Sequence, residues 1–212
     1  MNGPAILAID VGRRFVGRWA LRGIELTIPE GATVLLHGAN GSGKTTLLRV
    51  LASALSATTG SVSIFGKPAI EARADVALLS HADGHYDELS GWDNLDLAVR
   101  LGSGKGDVDA TLARVGLGNR GRDAVRGYSA GMRKRLAFAR VLLKAPKVAM
   151  FDEPYAALDP AGHDFVDGLF AELKAAGSTV LVSTHQVARV AAFSDMAVRL
   201  HEGRVAAPEA VS

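Results

Sequence analysis

Nine consecutive residues, Gly38-Ala39-Asn40-Gly41-Ser42-Gly43-Lys44-Thr45-Thr46, constrain the fold of this chain more than any other stretch. They match the pattern G-x-x-x-x-G-K-[ST] and lie between an apolar run, Thr33 to His37, and a helical run from Thr45. Strand, glycine loop and helix in that order build a cradle for phosphate. Glycines let backbone N–H groups turn inward around phosphate oxygens without Cβ clashes, and the start of the following helix adds roughly half a positive charge. Lys44 is expected to reach the β- and γ-phosphates of a nucleotide, and Thr45 to offer its hydroxyl to Mg²⁺.

The remainder alternates short apolar or β-branched runs with longer helical stretches. Strands are expected at Ala5 to Val11, Ile24 to Ile28, Thr33 to His37, Ser61 to Phe65, Val76 to Leu79, Val148 to Phe151, Thr179 to Ser183 and Met196 to Leu200. Runs such as Val148-Ala149-Met150-Phe151 are apolar on both faces, which suits parallel strands covered by helices on each side. Between Trp92 and Lys144 the strand signal stops, and helices are expected at Asp93 to Leu101, Asp107 to Val115 and Ala130 to Leu143. The reading is an α/β core interrupted by a helical insert, and Ala145-Pro146 returns the chain to a strand.

Composition narrows the function classes. With 48% of its 212 residues apolar and 22% charged, the chain can bury a sizeable core and is not disordered throughout. A net charge of +2 is too small for a dedicated nucleic-acid binder. The absence of cysteine removes disulfides, thiolate metal sites and cysteine nucleophiles together. No apolar run approaches the roughly 18 residues that cross a bilayer, and Met1 to Asp10 lacks the pattern of a secretory leader, so a soluble cytoplasmic chain is expected.

A second chemical constellation follows the insert. The strand Val148 to Phe151 ends in Asp152-Glu153-Pro154, which places two carboxylates where open α/β sheets bind ligands. Asp152 is expected to hold Mg²⁺ directly or through water, and Glu153 to act as general base on an attacking water.

With these residues in hand, Tyr128-Ser129-Ala130-Gly131-Met132 resembles the L-S-G-G-Q signature of ABC transporter nucleotide-binding subunits, and the resemblance covers nearly the entire chain. It implies a P-loop ABC ATPase: a largely parallel sheet core with N-terminal antiparallel strands and a helical insert. By that resemblance the whole of 1–212 is expected to form one ATPase domain, with a RecA-like lobe at about 1–82 and 145–212 and a helical lobe at about 83–144. It also implies that Ser129, Ala130, Gly131 and Met132 face the γ-phosphate held by a second subunit, so that a homodimer or heterodimer sandwiches two ATP molecules. Ala157-Leu158-Asp159 matches the family's D-loop, and His185, after Ser183-Thr184, matches its switch histidine beside the γ-phosphate. Phe15, or in its place Trp19, corresponds to the aromatic that stacks on adenine. Leu89-Ser90-Gly91-Trp92 mimics the start of the signature but lacks its second glycine, and Ser90 is read as a helix cap.

The resemblance further implies ATP and Mg²⁺ as ligands, integral membrane transporter subunits as partners, no nucleic acid, and a place at the cytoplasmic face of the cell membrane. One position departs from the pattern: the glutamine expected after Val76 to Leu79 falls on Ala82, or on His81 in a shifted register, and alanine cannot coordinate metal. Arg13-Arg14-Phe15, the histidine-bearing loop with Tyr86, and Ser129 to Arg135 look like the ATP-binding subunit of the haem exporter of cytochrome c maturation. Arg114, Arg120, Arg122, Arg126, Arg133, Lys134 and Arg135 gather near the insert and read as a solvated helical face or a partner contact. The competing classes are a soluble ABC ATPase of repair or translation and a small-molecule P-loop kinase, in which Ser129 to Met132 would lack a purpose.

Overall fold

The computed structural model describes residues 3–80, 84–102, 104 and 106–206. Three of its strands are buried throughout or nearly so, β3 (Thr33–His37), β7 (Val148–Asp152) and β8 (Thr179–Ser183). They sit side by side in a six-stranded sheet, ordered β10-β9-β3-β8-β7-β6, with β6 at Val76–Leu79, β9 at Met196–His201 and β10 at Arg204–Val205. Every pairing from β9 to β6 is parallel, and only β10 runs antiparallel to its neighbour.

Alternation along these strands builds two cores at once, because successive side chains point to opposite faces. Val34, Leu36, Val148, Met150 and Leu181 enter one buried cluster with Leu47, Leu48 and Leu51 of α1 (Lys44–Leu51). Leu35, Ala149, Phe151, Val180 and Val182 enter the other, against α4 (Ala130–Lys144) and α5 (Pro160–Ala175).

A second sheet, ordered β2-β1-β4-β5, covers the α1 side: β1 is Ile6–Phe15, β2 Arg18–Ile28, β4 Thr59–Ile64 and β5 Lys67–Pro68, all antiparallel. The first two strands are longer than the apolar runs that mark them. β1 continues past Val11 through polar Gly12-Arg13-Arg14, with register shifts after Ala8 and Val11 and Asp10 at φ 48°. β2 begins at Arg18 because Val16 and Gly17, both at positive φ, close a two-residue hairpin turn with Phe15 paired to Arg18. The two-residue strands β5 and β10 carry too little pattern to be read from sequence.

A third buried cluster lies wholly among helical and turn residues, α2 (Gly91–Arg100), α3 (Val108–Arg114) and α4, and includes Leu95, Leu112, Val125, Leu136 and Leu143. α4 is therefore packed on two sides, giving Ala137, Phe138 and Val141 to the sheet core and Leu136, Ala139 and Leu143 to the helical one. Ser90 caps α2, accepting from the Asp93 amide, as expected of a helix cap there. Among the described residues no helix is long and apolar enough to cross a membrane.

The strand that feeds the phosphate loop is anchored at its start. Asp195 accepts from the Thr33 amide at 2.7 Å, and both its oxygens accept from Lys174, at 2.8 and 2.9 Å. Partial burial pushes the Asp195 carboxyl up, but hydrogen bonds from Lys174 and the Thr33 amide outweigh it and hold the group below the usual carboxylate range. A depressed folded value means that the contribution is fully present above the ordinary Asp value and is lost as pH falls through the folded one. Asp195→Asn is expected to lower the melting temperature at neutral pH by about 2–4 °C, the equivalent of roughly one hydrogen bond. The gap from wild type narrows below about pH 4, and equal melting temperatures at neutral pH would remove the anchoring role.

Candidate functional site

The phosphate loop leaves β3 at Gly38 and enters α1 at Lys44. Two of its glycines are sterically obligatory. A Cβ on Gly38, at φ 146°, would run into the Leu200 carbonyl, and one on Gly43, at φ 107°, would lie 2.8 Å from the Ala20 carbonyl. The loop is thus wedged between β9 and β2 with no room for side chains at its ends. The Ser42 hydroxyl is buried and has no hydrogen-bond partner among the described residues. Lys44 is buried as well, its ammonium donating to the carbonyls of Gly38 and Ala39 at 2.8 and 3.0 Å.

The parallel order β3-β8-β7 brings the other sequence-predicted groups to this loop. Thr45 Oγ1 donates to Asp152 Oδ2 at 2.6 Å across 107 residues of sequence. Glu153 follows at φ 49°, outside the strand, with its N–H donating to the Ser183 carbonyl at 2.8 Å. That turn carries its carboxylate to His185, whose N–H donates to Oε2 at 3.3 Å and whose Nε2 lies 3.4 Å from Oε1. A cleft of about 270 Å³ is lined by Thr45, Thr46, Asp152, Glu153 and His185 together with loop residues Asn40, Gly41, Gly43 and Lys44. A buried unpartnered hydroxyl, a glycine cradle and an ammonium suit phosphate oxygens, and the Thr45 hydroxyl with the Asp152 carboxylate is an oxygen donor pair that fits Mg²⁺.

A wider groove of about 1050 Å³ shares Ala20 and Gly41 with that cleft and is lined by both aromatic candidates, Phe15 and Trp19. Phe15 is the more open, at 42% exposure, and the Arg13 guanidinium lies 4.6 Å over its ring. Trp19 is half-buried and packs across Gly12, where a Cβ would come 2.9 Å from its ring.

Ser129 to Met132 stand apart from this cleft. Ser129 caps α4, accepting from the Met132 amide at 3.2 Å, and Ser129 and Ala130 are exposed. A Cβ on Gly131 would lie 3.3 Å from the Ala157 carbonyl, so the signature packs on the segment that leads to Asp159. Asp159 is exposed and caps α5, accepting from the Gly162 amide at 2.8 Å. Ala82, His81 and Asp83 lie outside the described residues, while His85 Nε2 is 3.1 Å from the Arg133 carbonyl.

The basic run resolves into pairs. Arg114 meets Glu172, Arg120 meets Asp123, Arg122 meets Asp109, Arg126 meets Glu88 and Arg133 meets Asp87, while Arg135 lies over the Phe165 ring. Lys134 is not part of a solvated face: it is 5% exposed, and its ammonium donates to the Glu153 carbonyl at 3.3 Å. Its spacing holds the missed signal, since 134, 137, 138 and 141 fall on one buried side of α4.

The chain is similar to known proteins in sequence and in fold. A family model described as ABC transporter matches residues 21–156. The ABC transporter ATP-binding protein YdbJ of Bacillus subtilis (strain 168) is 33% identical over 217 residues, covering 98% of this chain and 70% of that protein. The aliphatic sulfonates import ATP-binding protein SsuB of Cupriavidus necator is 34% identical over 219 residues, covering 100% and 71%. Among solved structures, the ATP-binding cassette MJ0796, described as a dimeric post-hydrolysis state bound to ADP and Pi, superposes with a TM-score of 0.88 at 25% identity, covering 98% of this chain and 99% of that one.

Proposed function

The chain belongs to the ABC transporter family as one of its ATP-binding, ATP-hydrolysing subunits, and we propose that two such subunits pair head to tail so that each completes the other's site. The observation that carries the assignment of roles is the convergence of Lys44, the Thr45–Asp152 pair and the Glu153–His185 pair at the C-terminal edges of three adjacent parallel strands. In this reading the loop amides from Gly38 to Thr46 and the Lys44 ammonium hold the triphosphate. Thr45 and Asp152 would hold Mg²⁺, which when bound supplies positive charge against the triphosphate. Glu153 takes the proton of the attacking water, and His185, beside that carboxylate, orients the water and the γ-phosphate. Phe15 supports the adenine ring, with Trp19 the alternative.

Ser129, Ala130, Gly131 and Met132 contact the γ-phosphate of the partner's nucleotide, and Asp159 lies in the same interface. The exposure of Ser129 and Ala130 at the N-terminus of α4, and of Asp159 at that of α5, supports this reading. The helical cluster supports a two-lobed division near 83–144 within a single ATPase domain. Closure on ATP and reopening after hydrolysis then drive membrane subunits from the cytoplasmic face.

Export, with haem for cytochrome c maturation as cargo, is the finer proposal. It is supported by the resemblance of Arg13-Arg14-Phe15 and of Ser129 to Arg135, whereas the similar SsuB is named an importer. Membrane subunits select cargo, so their identity decides. Affinity purification of the tagged chain from detergent-solubilised membranes is expected to recover integral membrane proteins in stoichiometric amount. Recovery of ribosomes or nucleic acid in their place would overturn the transporter reading, and membrane subunits of another class would overturn haem.

A further inference from the structure

An ammonium withdrawn from water is tolerated only where it finds acceptors, and Lys134 finds the backbone carbonyl of Glu153 at 3.3 Å while itself only 5% exposed. That carbonyl belongs to a residue in an uncommon backbone state. Glu153 sits at φ 49°, a region that a non-glycine residue keeps only when its surroundings hold it there. The surroundings here are specific. The Glu153 N–H donates to the Ser183 carbonyl at 2.8 Å, and its carbonyl accepts from the Ala156 amide at 3.3 Å and from Lys134. The peptide groups on both sides of Glu153 are therefore pinned, one by β8 and the other by its own turn and by α4. This backbone setting is what carries the carboxylate to within 3.4 Å of His185.

Lys134 lies five residues along α4 from the capping Ser129, about 7–8 Å of helix rise. The same rigid element thus ends at the exposed signature and grips the residue beside its own phosphate loop.

We propose that Lys134 is a positioning residue for Glu153, tying the seating of the signature helix on the partner copy to the set of the carboxylate in its own site. The proposal rests on the reading of Glu153 as general base, and the experiment separates the two. The purified full-length chain is compared with Lys134→Met and Lys134→Leu, which remove the donor, and with Lys134→Gln, which keeps one. Single-turnover phosphate release stays readable at low rates.

The donor-less variants are expected to lose about 10- to 100-fold in kcat, the worth of one charged hydrogen bond, with KM for ATP little changed. Lys134→Gln recovers most of the rate. In a Glu153→Gln background the donor-less substitutions cause no further loss, because their effect passes through that carboxylate. A folded Lys134→Met or Lys134→Leu chain with wild-type kcat overturns the proposal. So does a loss that is additive with Glu153→Gln, which would mark Lys134 as merely structural. Either result leaves the general-base reading standing, since that reading is decided by Glu153→Gln alone.

Discussion

Glu153→Gln is expected to lower ATP turnover by about 10²- to 10⁴-fold, the usual span for loss of a general base, while leaving ATP affinity intact. The substitution is nearly isosteric. The backbone turn at φ 49° and the N–H bond to Ser183 do not depend on the side-chain charge, so the geometry persists and only the proton acceptor is lost. Because ATP still binds and is not consumed, the closed pair accumulates. Size-exclusion chromatography with and without ATP reads that accumulation, and phosphate release reads the rate. Turnover at the wild-type level would remove Glu153 as the base and leave His185, its neighbour at 3.4 Å, as the residue to examine.

Lys44→Ala acts on the other half of the chemistry. The lysine ammonium is buried against the carbonyls of Gly38 and Ala39, at the mouth of the loop where the phosphates are read to sit. Its loss removes charge-assisted hydrogen bonds worth about 3 kcal/mol together, equivalent to roughly 10²-fold in ATP affinity. Calorimetric titration with a non-hydrolysable ATP analogue measures it. An affinity within a few-fold of wild type, in a variant that melts normally, would contradict the cradle assignment. The two variants therefore part binding from chemistry: one loses affinity, and the other keeps affinity and loses turnover.

The groups that meet in the cleft were legible because their chemistry demands contiguous residues. The phosphate loop and the Asp152-Glu153 pair each occupy one short stretch, and the rule that ligands sit at the C-terminal edges of parallel strands places them together. The Thr45–Asp152 contact follows from that rule although the residues stand 107 apart. What stayed hidden depends on tertiary pairing or on masked periodicity. The extension of β1 to Phe15 is carried by polar residues and interrupted by a bulge, and its hairpin turn uses Val16-Gly17 where Asn-Gly would have announced it.

The basic run misleads for a related reason. Apart from Asp123, which serves Arg120 locally, its acids come from outside the run, such as Glu172 for Arg114 and Asp87 for Arg133, so a run of cations is read without their partners. Charge groups Lys134 with the arginines, whereas its helical phase beside Ala137, Phe138 and Val141 puts it on the buried side.

The double-sided packing of α4 has a mechanical consequence. A helix buried along one side only can roll in its groove, trading contacts as it turns. α4 is keyed into two cores at once, so any roll that eases Phe138 in the sheet core displaces Leu136 and Ala139 in the helical one. It is torsionally stiff as a result. A load applied at Ser129 travels along the axis to the β7 junction at Ala145 as thrust, with little of it lost to twist.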